Sequence, residues 1–312
     1  MTKPLVSIGL PVWNGEKYLA CAITSILEQS FEDFELLIAD NASTDRTAEI
    51  AREFCARDPR VRYVRHASNI GAAGNFNYVF HETTGRYFKW AAYDDMLAPD
   101  FLAETTAALE KDHEGRAALA YPQTLLIDQE GAPLGLYDAA MRRGGQAPAT
   151  RLDELIGPGD HTSSLIHMCF PVFGLIRRSA LETSSLISNW PRSDHLLLVE
   201  LALKGDFLEI ERPLFLRRSH DEGSVISAEK TASSGTEVER KLAAWFDPKR
   251  GKRFPATNIR LGLGYLRAAL VTPMPVPQRA RATAVALGWM RRHWRILGGE
   301  LKLVLADRIR PS

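Results

Sequence analysis

The chain has 312 residues, 45% of them hydrophobic and 25% charged, which is enough to bury one large core or two closely packed ones. A formal net charge of +1 argues against a nucleic acid as the partner. The cysteines Cys21, Cys55 and Cys169 are odd in number, far apart and without metal-ligand spacing, which argues against a disulfide framework and indicates reduced thiols in a reducing compartment.

The first third of the chain alternates between strand-like and helical hydrophobic patterns. Residues 1–4 run directly into a strand-like segment without a signal-peptide pattern, and no apolar run reaches spanning length, so we expect a cytoplasmic protein without a transmembrane helix. Strands are predicted over residues 5–12, 36–39, 61–65 and 87–92. Helices are predicted over residues 16–29, from a cap at Ser43 or Thr44 to about residue 56, and over 74–83. This alternation predicts a mostly parallel sheet with helices on both faces, whose strands end at one shared edge.

The middle and the end of the chain are less regular. The pattern predicts strands over residues 117–127 and 172–176 and a helix over residues 195–203. Residues 138–164 are predicted to form a long loop with a short helix near residues 152–156, and loops of this length are often functional lids. Residues 227–254 are predicted to form a linker, and residues 255–312 a C-terminal helical region.

Phosphate binding, if this chain performs it, cannot use a glycine-rich cradle. The sequence lacks the Gly-x-Gly-x-x-Gly turn, the Walker loop, the His-Glu-x-x-His zinc motif and the Gly-x-Ser-x-Gly elbow. A divalent cation held by one or two carboxylates is the usual substitute. Asp94 and Asp95 follow a predicted strand, and a cation would relieve their mutual repulsion, although a solvated turn explains the same pair. Asp40 is likewise either a turn residue or a hydrogen-bond acceptor for a ring N–H of a nucleobase.

Four sequence blocks, taken in order, resemble the family 2 glycosyltransferases of GT-A fold. They are VSIGLPVWNG at residues 6–15, followed by Tyr18-Leu19, then ADNASTD at 39–45, Asn69-Ile70-Gly71 and Tyr93-Asp94-Asp95. The match is close over the first 110 residues and looser to about residue 225. It implies an α/β fold with a Rossmann-like, mostly parallel sheet flanked by helices, a smaller acceptor subdomain and a C-terminal helical extension.

The resemblance also implies roles for the matching residues. The donor nucleotide would lie across the strand ends. The implied nucleotide or substrate contacts are Pro11, Val12, Asn14, Asp40, Asn69, Gly71, Tyr93, Asp95 and Arg218. Asp94 would hold Mn²⁺ or Mg²⁺ on the diphosphate. His220 would be a second metal ligand, a contact to the diphosphate or a structural residue. Ala92 stands where the family usually has the first Asp of Asp-x-Asp, so that contact is missing or made by another group.

Asp194 matches the position of the family's general base, downstream of FGLIRR at residues 173–178. The same residue could instead be the N-cap of the following helix, and Glu200 and Asp206 are alternative bases. Arg217 or Arg218 could stabilise charge on the departing phosphate. Trp13 and Trp190 could stack on a sugar or a base, or they could be core residues.

The C-terminal segment, residues 278–312, is strongly basic. This segment contains eight Arg or Lys residues but only two acidic residues, Glu300 and Asp307. Apolar residues, which include two tryptophans, are interspersed among them in the sequence. This composition suits a helix on an anionic membrane surface, here the inner face of the membrane. A helix packed on the catalytic domain, or a self-association surface in a homodimer, would explain it as well.

Together these features predict an inverting, metal-dependent glycosyltransferase. The donor would be a nucleotide diphosphate-sugar, with a UDP-sugar favoured, and the acceptor a glycan, a lipid-linked molecule or a small molecule. Residues 1–118 would bind the donor and residues 119–226 the acceptor. The alternatives are a catalytically degenerate GT-A protein that binds a sugar nucleotide or a partner, and a nucleotidyltransferase, which normally has a glycine- and basic-rich loop after its first strand.

Overall fold

The computed structural model describes residues 3–137, 146–158, 168–221, 224–250 and 253–309, and within them one nine-stranded sheet lies between layers of helices. The strands are β1 (Val6–Val12), β2 (Phe34–Asp40), β3 (Val61–Arg65), β4 (Tyr87–Trp90), β5 (Met96–Leu97), β6 (Ala117–Ile127), β7 (Pro133–Tyr137), β8 (Leu175–Arg177) and β9 (Asp206–Arg218). The helices are α1 (Leu19–Leu27), α2 (Thr47–Arg57), α3 (Gly71–His81), α4 (Phe101–Lys111), α5 (Pro148–Ile156), α6 (Arg178–Glu182), α7 (Ser193–Lys204), α8 (Ser224–Thr231), α9 (Gly235–Phe246), α10 (Thr257–Val271), α11 (Val276–Arg292) and α12 (Trp294–Ile309). Short 3-10 turns cover Phe170–Phe173 and Pro248–Arg250.

The sheet runs in the order β3-β2-β1-β4-β8-β6-β9-β5, and β7 pairs with β6 outside this path. Strands β1 to β4 are parallel, β8 is antiparallel to both β4 and β6, and β6 is parallel to β9. Six strands, β1 to β4, β6 and β9, therefore point in one direction and end at one edge. Strand β8 begins at that edge because it runs the opposite way. The mostly parallel sheet predicted from the sequence is confirmed.

Both faces of the sheet are buried, which explains the nearly continuous apolar strands. In β2, Leu37 and Ala39 pack into one core while Leu36 and Ile38 pack into the other, as expected when successive side chains point to opposite faces. Helices α1, α2 and α4 contribute to one core. Helices α3 and α7 cover the opposite face together with the C-terminal helices.

The C-terminal helices are part of the main body. Tyr265 of α10 and Ala286 and Trp289 of α11 are buried in the same core as β2 and β4. Glu300 of α12 is buried, and its carboxylate accepts hydrogen bonds from the backbone N–H groups of Asn258 and Ile259 in the first turn of α10. This packing supports the alternative of a helix docked on the catalytic domain. No helix of the described residues combines the length and apolar character needed to cross a bilayer.

Helices α8 and α9 occupy much of residues 227–254, where polar composition predicted a linker. The hydroxyl of Ser234 accepts a hydrogen bond from the backbone N–H of Glu237, and the Glu237 carboxylate accepts one from the N–H of Ser233. This reciprocal capping starts α9 although its exposed side is polar. Composition alone therefore could not distinguish a solvated helix from a linker.

Two further elements differ locally from the sequence prediction. Arg46, not Ser43 or Thr44, is the N-cap residue of α2, and the hydroxyl of Ser43 instead accepts a hydrogen bond from the backbone N–H of Asn14. The predicted strand over residues 172–176 is split into a 3-10 turn and the short strand β8. Pro171 lies in the first turn of that 3-10 segment, where its missing N–H costs nothing.

Candidate active site

The strand ends collect most of the predicted site residues at one edge of the sheet. Val12 ends β1, Asp40 ends β2 and Arg218 ends β9, while Asp94 follows β4. Asp194 is linked to this edge through Cys169. Its carboxylate is hydrogen bonded to the thiol of Cys169, which precedes the 3-10 turn leading into β8, the strand that begins at this edge. The carboxylates at positions 40 and 94 thus lie at one edge, and Asp194 contacts a segment that enters the sheet there.

The loops after β1 and β2 are tied together by hydrogen bonds. The side-chain oxygen of Asn14 accepts from the N–H of Thr44 at 2.8 Å, and the N–H of Asn14 donates to the Ser43 hydroxyl at 2.9 Å. The N–H of Gly15 donates to the Thr47 hydroxyl at 2.8 Å. Asn14 is in the left-handed region with φ +51, which asparagine tolerates better than most residues. The Asn14 amide oxygen therefore helps to hold together the two loops after β1 and β2, which form the rim of the site.

Pro11 and Val12 are buried at the end of β1, and the carbonyl of Val12 accepts a hydrogen bond from the N–H of Asn41. The half-buried ring of Tyr93 lies against Gly15, where an added Cβ would overlap it. Tyr93 consequently closes over the turn that follows β1. The structure brings these predicted donor contacts into one place.

Asp40 is fully buried behind this rim. Its carboxylate accepts hydrogen bonds from the Tyr63 hydroxyl at 2.7 Å and the Ser43 N–H at 2.8 Å, and Arg65 lies 3.6 Å away. Burial, and then the hydrogen bond to Asp40, raises the pKa of the Tyr63 phenol, which therefore stays protonated as a donor. Both carboxylate oxygens thus already have a partner, and contact with a nucleobase would have to be shared with Tyr63.

Asn69 and Gly71 lie at the start of α3. The side-chain oxygen of Asn69 accepts from the Asn41 amide at 3.0 Å and from the Gly71 N–H at 2.8 Å. Gly71 has φ +83 and is buried, and an added Cβ would overlap the carbonyl oxygen of Phe246 at the end of α9. Glycine is therefore required by packing at this position. This geometry does not favour the predicted role of Gly71 as a lining residue of an open nucleotide pocket.

Asp94 and His220 form the best candidate metal site. The Asp94 carboxylate lies 2.8 Å from Nε2 of His220, whose side chain is almost fully buried. Two ligand atoms of an octahedral cation lie about 3 Å apart when each bond is about 2.1 Å long, so this spacing suits a shared ion. Imidazole with carboxylate fits Mn²⁺ better than Mg²⁺, which prefers oxygen ligands.

Two buried polar atoms next to this pair also fit a bound polar group. Nδ1 of His220 and the hydroxyl of Tyr18 have no hydrogen-bond partner among the residues that the structure describes. Their rings are in contact, with centroids 4.9 Å apart. The predicted site residues do not include Tyr18, although the Tyr18-Leu19 pair is part of the family resemblance and is the available signal.

Asp95 and Arg218 face the protein interior. The Asp95 carboxylate accepts a hydrogen bond from the backbone N–H of Arg218 at 2.9 Å, and burial, with the neighbouring Asp94 charge, raises the pKa of Asp95. The Arg218 guanidinium donates to three main-chain carbonyls, those of Asp94, Asp128 and Gln129. These bonds anchor the metal-site loop, so the geometry does not favour the predicted phosphate contact of Arg218.

Arg217 is the better placed of the two arginines. Its side chain is partly exposed, and its guanidinium lies 3.6 Å from the carboxylate of Asp95. The sequence predicts this role for either arginine, because sequence alone does not tell which of two adjacent side chains on a strand faces the site.

Asp194 lies in the first turn of α7 and is half-buried. The N-cap is Arg192, in the left-handed region with φ +62, so the N-cap alternative for Asp194 is wrong. The Asp194 carboxylate accepts the N–H of His195 at 3.1 Å. Of the two alternative bases, Glu200 accepts hydrogen bonds from Ser185, and Asp206 starts β9 at the opposite edge of the sheet.

The two tryptophans differ in their exposure to solvent. Trp190 is buried in the core beside α7, which supports the core alternative. Trp13 follows β1 and is 46% exposed at the donor edge. His161 and His167 lie outside the described residues.

Comparison with known proteins assigns the chain to a family. The family model described as Glycosyl transferase family 2 matches residues 7–184, more than half of the chain. The chain belongs to this family. The family resemblance predicted from the sequence is thereby confirmed, and membership argues against the nucleotidyltransferase alternative.

Similar proteins of the glycosyltransferase family differ from this chain in length. A putative teichuronic acid biosynthesis glycosyltransferase, TuaG of Bacillus subtilis, is 33% identical over 43% of this chain and 52% of its own length. This chain spans about half or less of the length of the first curated relatives it matches.

Two solved glycosyltransferase structures share the fold. The crystal structure of S. aureus TarS 1-349 in complex with UDP-GlcNAc has a TM-score of 0.60 and 16% identity, covering 98% of this chain and 78% of that one. The mannosyltransferase PcManGT from Pyrobaculum calidifontis, in complex with GDP-Man and Mn²⁺, has a TM-score of 0.51 and 15% identity, covering 98% and 87%. At these identities the likeness establishes the GT-A fold.

Proposed function

We propose that this family 2 glycosyltransferase is an inverting enzyme that moves a sugar from a nucleotide diphosphate-sugar, with a UDP-sugar favoured, to a hydroxyl group of a glycan or lipid-linked acceptor. The observation that carries the proposal is the Asp94–His220 pair at the strand ends, together with the contact of Asp194 with Cys169 shortly before β8, which begins at the same edge. The donor class is supported by TarS, a fold relative in complex with UDP-GlcNAc. The Mn²⁺ in the PcManGT complex supports a divalent cation.

In this proposal Asp194 accepts the proton of the acceptor hydroxyl while the hydroxyl oxygen attacks the anomeric carbon. The bond from that carbon to the diphosphate oxygen breaks on the opposite face, so the configuration inverts and the diphosphate leaves with the electron pair. A divalent cation bound by Asp94 and His220 would neutralise charge on the leaving diphosphate. Arg217, whose guanidinium lies 3.6 Å from the carboxylate of Asp95 next to Asp94, would add a second positive charge.

The acceptor class is inferred from relatives and from the C-terminal surface. TuaG is named for teichuronic acid biosynthesis, which supports a surface polysaccharide as acceptor. On α12, Trp294, Leu301 and Leu305 are exposed beside Arg295 and Lys302. Such a surface suits contact with an anionic membrane that carries a lipid-linked acceptor.

A donor screen tests the proposal. Purified protein is incubated with UDP- and GDP-sugars, each with Mn²⁺, with Mg²⁺ or with a chelator, and release of the nucleoside diphosphate is measured. Metal-dependent release from at least one donor is expected, with water as the acceptor, and the free sugar should initially have inverted anomeric configuration by NMR. Tight binding of a donor without release or transfer would instead support the degenerate binder, an alternative that Ala92 keeps open.

A further inference from the structure

A second group of potential metal ligands lies on the acceptor side, beside the proposed base. One ligand atom each of Cys169, Asp194 and His195 lie within 4.8 Å of one another. Cys169 is buried, whereas Asp194 and His195 are half-buried, so the group is partly accessible to solvent. The backbone of Cys169 is in the left-handed region with φ +54, a conformation that non-glycine residues adopt mainly where surrounding structure imposes it. This backbone conformation belongs to the residue whose thiol is hydrogen bonded to the Asp194 carboxylate.

The donor set differs in chemistry from that of Asp94 and His220. Sulfur, imidazole nitrogen and a carboxylate oxygen are the ligands that Zn²⁺ prefers, and three protein ligands leave a fourth position open. Ligand atoms of a tetrahedral zinc ion lie about 3 to 4 Å apart, so the three side chains would close by only about 1 Å. A thiolate and a carboxylate would together balance the charge of the ion.

Without a bound metal ion, the protonation state of Cys169 is different. Burial, and then the Asp194 charge and hydrogen bond, raises the pKa of Cys169 well above its ordinary value, so its thiol is protonated and hydrogen bonded to Asp194. Zinc binding would release that proton to solvent and replace the hydrogen bond by two bonds to the metal.

We propose that Cys169, Asp194 and His195 bind a zinc ion, and that this ion inhibits sugar transfer by occupying the carboxylate that takes the acceptor proton. Binding is independent of any reaction, whereas inhibition rests on the function proposed above. The enzyme would then be activated by a hard cation at Asp94 and inhibited by a softer one at the base.

Cobalt reports this site directly, because a thiolate bound to Co²⁺ gives a charge-transfer band in the near ultraviolet. The starting protein is Cys21→Ser/Cys55→Ser, in which Cys169 is the only cysteine left. Titration with Co²⁺ should produce the band, and added Zn²⁺ should remove it. The band should be absent in Cys169→Ser, and the affinity should fall about tenfold or more in His195→Gln. His113→Gln, at an exposed histidine, is the matched control and should bind like the starting protein.

Circular dichroism and thermal unfolding verify that each variant is folded. Absence of the band in the folded starting protein would overturn the zinc site, whatever the enzyme activity. In transfer assays with excess Mn²⁺, the zinc concentration for half-inhibition should rise about tenfold or more in His195→Gln. A normal band without zinc inhibition of an active enzyme would overturn the inhibitory role. A normal band in a protein without transferase activity would count against the proposed function and leave the zinc site standing.

Discussion

Two regions of this molecule are built in different ways: the donor edge, where β1, β2 and β4 end, and the acceptor side, around Cys169 and Asp194. At the donor edge, polar groups follow consecutive parallel strands and bond to one another, as Asn14 does with Thr44 and Asp40 does with Tyr63. On the acceptor side, the proposed base is half-buried and its surroundings come from distant segments, with Cys169 as one contact. The donor edge is therefore fixed by local folding, whereas the acceptor side depends on how separate segments pack.

A buried lysine joins these two regions. Lys89 of β4 is fully buried, and its ammonium group donates to the carbonyls of Phe173 and Trp90. It also lies 4.3 Å from the centre of the Phe101 ring. Phe173 precedes β8 on the acceptor side, so this side chain links the end of a donor strand to the turn that carries Cys169.

The largest effect is expected from Asp194→Asn, which removes the proposed base and keeps its shape. The amide cannot take the acceptor proton, so kcat should fall about 1,000-fold. Donor binding, measured by thermal shift with a nucleotide diphosphate, should stay unchanged because the donor edge is built without this residue. A lower kcat with unchanged donor binding would show that Asp194→Asn affects the acceptor side and not the donor edge.

Glu200→Gln is the matched control for that prediction. It makes the same carboxylate-to-amide change on the same helix, at a residue that bonds to Ser185. Its kcat should stay within a few-fold of wild type. If Glu200→Gln lost activity and Asp194→Asn retained it, the base would be misassigned.

Asp94→Ala should have the next largest effect, and this change lies at the donor edge. Without its carboxylate, His220 alone cannot hold a divalent cation well, and kcat/KM should fall about 100-fold, equivalent to about 2.7 kcal/mol. Thermal stabilisation by a nucleotide diphosphate should lose its dependence on Mn²⁺. Asp100→Ala, which removes an exposed carboxylate paired with Arg212, should behave like wild type. A metal response identical in Asp94→Ala and wild type would refute the site.

The same contrast explains what the sequence predicted well. In a parallel sheet, the residues that follow each strand meet at one edge, so the positions of Asp40 and Asp94 follow from local pattern. The contact between Cys169 and Asp194 depends on tertiary packing, and no spacing in the sequence signals it. Gly71 likewise matches the family pattern, but its contact with Phe246 could be known only from the packing of α9.

Lys89→Met tests the joint between the regions through the pH dependence of stability. Burial lowers the pKa of Lys89 from 10.5 to about 7. Between these values the unfolded chain binds the proton and the native protein does not, so the unfolding free energy should rise with pH, by up to about 1.4 kcal/mol per unit. Urea unfolding from about pH 7 to about pH 9 should show this rise in wild type, and the variant should lack it. Equal slopes in the two proteins would contradict the assignment.

The smallest effect concerns a third region, the exposed face of α12. Trp294, Leu301 and Leu305 are 63%, 52% and 49% exposed, and their spacing of seven and four residues places them on one side of the helix. Deleting residues 278–312 would also remove the buried Trp289 and Glu300, and would test folding as much as membrane contact.

Serine at these three positions tests the exposed face alone. The triple variant should bind anionic vesicles about tenfold more weakly in a sedimentation assay, because its apolar contact area is lost. The control Leu263→Ser/Leu270→Ser removes exposed apolar side chains from α10 and should bind vesicles like wild type. If the triple variant instead dissociated a homodimer and left vesicle binding unchanged, this face would be a self-association surface.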